Sequence, residues 1–164
     1  MKRIERWIVT ACSIGVGLSF LVLVFAVLVQ VIGRGFGSSP VWTEELTRFA
    51  MLYTVAFGAG LAFRSGDLVN VDIVCERLPG AWPWRLRLLC GAATAGLCLY
   101  LIPAAWKYVS VGALQTSPAL GVRMDLIHFS VFALLSTLAI FAVLRVIAMA
   151  LCGDDGQPEN RAET

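Results

Sequence analysis

The chain has 164 residues, 59% of them hydrophobic and only 15% charged, with a mean hydropathy of +0.80 and a net charge of +2. Soluble domains carry about 25% charged and about 45–50% apolar residues, so this composition excludes an ordinary water-soluble domain and indicates an integral membrane protein. The small net charge leaves little support for a Lys/Arg footprint of the kind that binds nucleic acid.

From Trp7 to Gly33 no residue is charged. A spanning helix needs about 20 such residues, so the first span is placed at 8–33. Lys2, Arg3 and Arg6 precede it as they would in a secretory signal. The apolar run is too long for one, and no alanine-type small-x-small cleavage site follows it. A retained signal anchor is expected.

The second uncharged run, Phe49 to Phe63, is too short to cross. Its helix must therefore begin near Trp42, with a span over 42–64 that carries Glu44, Glu45 and Arg48 at or inside one interface. Pro40 lies upstream, Thr43 is a candidate N-cap, and acids in the first turn suit the helix dipole. A third span is expected at 86–108, kinked at Pro103, and a fourth at 126–151. Residues 153–164, with Asp154, Asp155, Glu159 and Glu163, read as a disordered tail.

Between the second and third spans, Leu68, Val71, Val74, Cys75 and Leu78 share one helical face. Val69, Val71, Ile73 and Cys75 would equally share one face of a strand. Open strand edges are costly at a membrane, which favours a short amphipathic interfacial helix over 68–78. Trp82, Trp84, Arg85 and Arg87 then anchor the third span. Nine basic residues fall with the termini and this middle loop, against Arg34, Arg48, Lys107 and Arg123 on the other side. That bias predicts cytoplasmic termini. The expected fold class is an all-α integral membrane protein with four transmembrane helices and one interfacial helix, forming a single domain over 1–152.

Several chemistries are missing. The lone His128 cannot make a bis-histidine haem site, and Cys12, Cys75, Cys90, Cys98 and Cys152 show no C-x-x-C spacing. These cysteines read mostly as inert small hydrophobes. There is no P-loop, no H-E-x-x-H and no nucleophile elbow, so neither an enzyme nor a cofactor or metal site is expected. A lone histidine just inside the fourth span is more often hydrogen-bonded than a proton relay.

What remains is a polar cluster and a set of small residues. Glu44 and Arg48 are spaced i,i+4, and Glu45 and Arg48 i,i+3, so one guanidinium could serve either carboxylate. An Arg at a helix centre costs roughly 2.5–3.5 kcal/mol on insertion scales, and less when paired or interfacial. Interfacial anchoring, with Trp42 in the aromatic belt, or docking of a partner explains the cluster better than an ion site, since one helix supplies too few oxygens. Small-x-x-x-small pairs occur at Gly15/Ser19, Ala56/Gly60, Gly58/Ala62, Gly91/Ala95 and Ala92/Gly96. Such pairs let helices approach closely.

In their order along the chain, four pieces resemble the small membrane subunit of tripartite ATP-independent periplasmic (TRAP) transporters, the DctQ-like small permease. They are Trp42-x-Glu44-Glu45-x-x-Arg48, Gly58-Ala59, Arg64-x-Gly66-Asp67-x-Val69-x-Val71-Asp72, and Ser117-Pro118-Ala119-Leu120-Gly121. One departure is Asp67-Leu68, where many relatives carry His-Ile. The resemblance covers roughly residues 8–151.

It implies a multi-pass protein of a bacterial inner membrane. Such a subunit binds a large permease and works with a periplasmic solute-binding protein in sodium-driven uptake of an organic acid. Trp42, Glu44, Glu45, Arg48, Gly58, Gly60, Arg64, Asp67 and Asp72 are the residues expected to dock the partner, with membrane lipid around the rest. The second and third spans would form the docking face. A standalone four-helix exporter or channel, or a structural subunit of another membrane complex, are the competing expectations.

Overall fold

The computed structural model describes residues 2–37, 40–65 and 82–152. The expected interfacial helix at 68–78 and the tail at 153–164 lie outside the described residues, as do Asp67 and Asp72. Four helices carry the rest: α1 (Lys2–Gly35), α2 (Val41–Ser65), α3 (Trp82–Gly112) and α4 (Met124–Cys152). Each is long and apolar enough to cross a membrane. α1 begins at Lys2 rather than at residue 8, and α3 at Trp82 rather than at 86. Lys and Arg are good helix formers, so a helix need not stop where the hydrocarbon does.

The helix ends follow from local chemistry. α1 closes on Gly37, whose φ of 76° lets its N–H turn back to the Arg34 carbonyl at 3.1 Å. α2 starts directly after Pro40. Thr43 is therefore not the N-cap that its position suggests but a buried residue of the first turn, whose N–H (3.2 Å) and hydroxyl (2.6 Å) both donate to the Pro40 carbonyl. Pro40 has a fixed φ and restricts the residue before it, which sets the start one position after itself. α3 runs through Pro103 to Gly112 without ending.

The packing order differs from the chain order. α1 packs on α2, α2 on α4, and α4 on α3; among the described residues α1 has no close backbone approach to α3 or α4, and α2 has none to α3. The helices are thus linked as an open row, α1–α2–α4–α3, rather than as a closed ring in which α1 would also pack on α3. One apolar cluster draws on all four, with Cys12, Phe63, Ala95, Phe141 and Ala142 buried in it. The Arg145 guanidinium lies 5.7 Å from the centre of the Phe63 ring, a cation–π distance. Cys12, Cys90 and Cys98 are free thiols.

Small residues decide how near neighbours come. Over Gly15 lies the Phe57 ring, at 2.8 Å from where a Cβ would stand. At the α2–α4 seam a Cβ on Gly60 would meet the Thr137 Cβ at 3.0 Å and the Phe141 ring at 3.1 Å. Two hydroxyls tie the same seam: Thr137 donates to the Ala56 carbonyl at 3.0 Å, and Tyr53 to the Leu126 carbonyl. Gly91 and Ala95 are buried, whereas Ala92 and Gly96 are exposed and Gly96 has open space around it.

At Gly58 the nearest atom to an added Cβ is the Val16 Cγ2 at 3.9 Å, ordinary contact. Gly58→Ala is therefore expected to leave the isolated chain as stable as before or about 0.5–1 kcal/mol more stable, since alanine loses less entropy in a helix. Thermal unfolding in detergent measures this.

Candidate docking site

The start of α2 meets the connection from α3 to α4, which is ordered rather than loose. Gly121, with a φ of 65°, turns the chain so that its N–H reaches the Ser117 carbonyl at 3.0 Å. The Ser117 N–H donates to Val122 at 2.8 Å, Thr116 and Arg123 pair as an antiparallel bridge, and the Met124 N–H donates to Gln115 at 3.0 Å. The result is a small hairpin between the two helices.

Glu45 holds this hairpin. Its carboxylate accepts the Ser117 hydroxyl, the Leu120 N–H at 3.1 Å and the Ala119 N–H at 3.3 Å. Both oxygens are thus engaged by residues more than 70 positions away. Glu44 turns toward α1, where the Arg34 guanidinium lies 3.7 Å from its Oε1, with both side chains well exposed. The i,i+3 and i,i+4 spacings point to Arg48 as the shared partner, but the structure gives each carboxylate a different one. The physical reason is donor supply. Backbone N–H groups in a turn sit fixed and pre-aimed at Glu45, whereas holding a long Arg48 side chain in place costs rotamer freedom. Arg48 stays exposed, close enough for its charge to act on Glu45.

The remaining candidate residues separate by environment. Trp42 is 36% exposed near the start of α2. Gly60 is buried at the α2–α4 seam, so its part in any complex is through this chain's own packing. Gly58 is half-buried, and Arg64 stands in the last turn of α2.

Two features of this region escape a reading of the chain alone. One is the pairing of Glu45 with Ser117, although the Ser117-Pro118 and Gly121 turn residues are its visible signal. The other lies below the hairpin, where the buried His128 ring stacks on Tyr108 at 3.8 Å. Its Nδ1 is 3.1 Å from the Tyr108 carbonyl, to which it donates in the tautomer protonated there. A histidine so placed is a structural hydrogen-bonded residue.

Glu45→Ala removes the acceptor for three donors. We expect it to lower the unfolding temperature by about 2–4 °C and to admit protease cleavage within 113–123 that the unsubstituted chain resists. Limited proteolysis with mass spectrometry of the fragments checks it.

A family model described as "Tripartite ATP-independent periplasmic transporters, DctQ component" matches residues 23–152. A protein of Haemophilus influenzae named "Putative TRAP transporter small permease protein" is 27% identical over 109 residues, which is 66% of this chain and 66% of that relative.

Proposed function

The chain belongs to the DctQ component family of tripartite ATP-independent periplasmic transporters, and from that premise we propose that it is a fixed membrane flank for a large permease. That permease would take an organic acid, a carboxylate, from a periplasmic solute-binding protein and move it with sodium. The observation that carries this reading is the row α1–α2–α4–α3. An open row whose end helices, α1 and α3, make no close approach among the described residues closes no ring around a lumen, which suits a frame against which a partner moves better than a conduit. Nor, among the described residues, does any helix show the broken, paired halves that build a substrate site at mid-membrane.

The basic-residue bias supports an orientation with both termini cytoplasmic in a bacterial inner membrane. The hairpin and the start of α2 would then face the periplasm, where the binding protein arrives. Of the expected docking residues, Trp42, Glu44 and Arg48 have surface to offer a partner. Glu45 and Gly60 act by holding that surface in shape. Arg64, in the last turn of α2, belongs to the other end, on the cytoplasmic side.

The test is reconstitution. Liposomes holding this chain alone should pass no solute. Liposomes holding it with its cognate large permease, supplied with the binding protein and a sodium gradient, should take up a carboxylate. Flux through this chain alone, or full uptake by the permease without it, would overturn the reading.

A further inference from the structure

Resting on the reading just proposed, we infer that the open face of α2, headed by Arg48, receives a helix of the large permease, and that this helix brings a carboxylate to the Arg48 guanidinium. α2 lies inside the row, covered by α1 on one side and α4 on the other. Beyond its first two residues, Val41 and Trp42, which are also exposed, what it leaves open is one stripe: Glu44, Arg48, Met51, Leu52 and Val55, spaced to share a helix face. Met51, Leu52 and Val55 are 60%, 44% and 49% exposed.

Charge singles out Arg48 within that stripe. Glu45 is saturated by the hairpin, and Glu44 has Arg34 beside it. Among the described residues Arg48 makes no hydrogen bond or ion pair, so the nearby carboxylates are committed elsewhere and this guanidinium is not.

Depth makes that arrangement informative. Arg48 follows Val41 by two helical turns, so it lies about 10 Å along an α2 that is roughly 37 Å long. A hydrocarbon core of about 30 Å leaves little of α2 outside it, which puts the Arg48 backbone within the apolar zone. An arginine there is stabilised by a group that matches its planar fork, and a carboxylate does so with two parallel bonds.

The face below Arg48 favours a protein over lipid as the source of that anion. It continues through Ala59 and Ala62, whose small side chains let another backbone come close.

The experiment uses the chain co-expressed with its cognate large permease. A photo-reactive amino acid is placed singly at Met51 and Val55 on the proposed face, and at Leu21 on α1 and Tyr100 on α3 for comparison. In parallel, Arg48→Met and Arg48→Lys are assayed for co-purified permease and for uptake. We expect cross-links to the permease from positions 51 and 55. Arg48→Met should lower co-purified permease about tenfold or more, and Arg48→Lys less, because an ammonium keeps the charge without the fork. The melting temperature of each purified variant should stay within about 2 °C of the unsubstituted chain, since Arg48 makes no hydrogen bond or ion pair among the described residues and acts on Glu45 only through its charge.

Cross-links from α1 or α3 alone overturn the inference and leave the flank reading standing. So does an undiminished complex with Arg48→Met, which would mean that lipid phosphate serves the guanidinium. Failure of the unsubstituted chain to co-purify with the permease would overturn both.

Discussion

Gly60→Leu is expected to lower the unfolding temperature of the purified chain by about 6–12 °C, corresponding to about 3 kcal/mol. The α2–α4 seam is the one helix–helix contact among the described residues that joins the α1–α2 pair to the α4–α3 pair. A Cβ at position 60 already presses on the Thr137 Cβ and the Phe141 ring at 3.0–3.1 Å, and a leucine adds three more carbons. Phe141 cannot swing aside, because it is buried in the cluster shared by all four helices. The seam must open instead, which also lengthens the Thr137 bond to the Ala56 carbonyl. Loss of co-purified permease should accompany the loss of stability. Circular dichroism melting in detergent measures the first effect, and quantitative pull-down the second. A melting temperature within 2 °C of the unsubstituted chain would show that the row is held elsewhere.

Gly112→Ala should cost about 2 kcal/mol, although it adds a single methyl. A Cβ there would stand 2.9 Å from the Asp125 N and 3.0 Å from its Cα, as well as against the His128 Nδ1. Two of these atoms are backbone, so no rotamer change relieves them. The short hairpin keeps the end of α3 and the start of α4 together, and the helices cannot part there without breaking it. Repulsion at His128 should also disturb its stacking on Tyr108. His128→Ala in the Gly112→Ala background therefore should recover part of the loss, and the backbone overlap should keep the rest. Urea unfolding of the single and double variants separates the two contributions.

The four helices are legible in the residues because charge is absent for long runs, and a membrane helix has almost no other requirement. The short run from Phe49 to Phe63 even shows that α2 must start early, near Trp42, as it does at Val41. The row is not legible. Each helix is apolar on every side, so hydrophobic periodicity, which finds the buried face of a soluble helix, carries no information on neighbours. Small-residue spacing gives half an answer. Ala56/Gly60 and Gly91/Ala95 are inside, but Ala92/Gly96 has the same signature and faces outward.

At the start of α2 the same limit applies to the charges. Spacing rules compare residues on one helix and therefore pair Glu45 with Arg48. Its observed partners, Ser117, Ala119 and Leu120, belong to a turn brought alongside only by the tertiary fold. Thr43 fails for a smaller reason: Pro40 starts the helix ahead of it.

An open row of helices has a longer lipid boundary than a closed ring of four, and every helix in it adds to that perimeter. A companion fused to one side would thereby gain a lateral keel. Tipping the pair within the bilayer would force the whole line of apolar surface out of register with the hydrocarbon, at a mismatch cost that grows with its width.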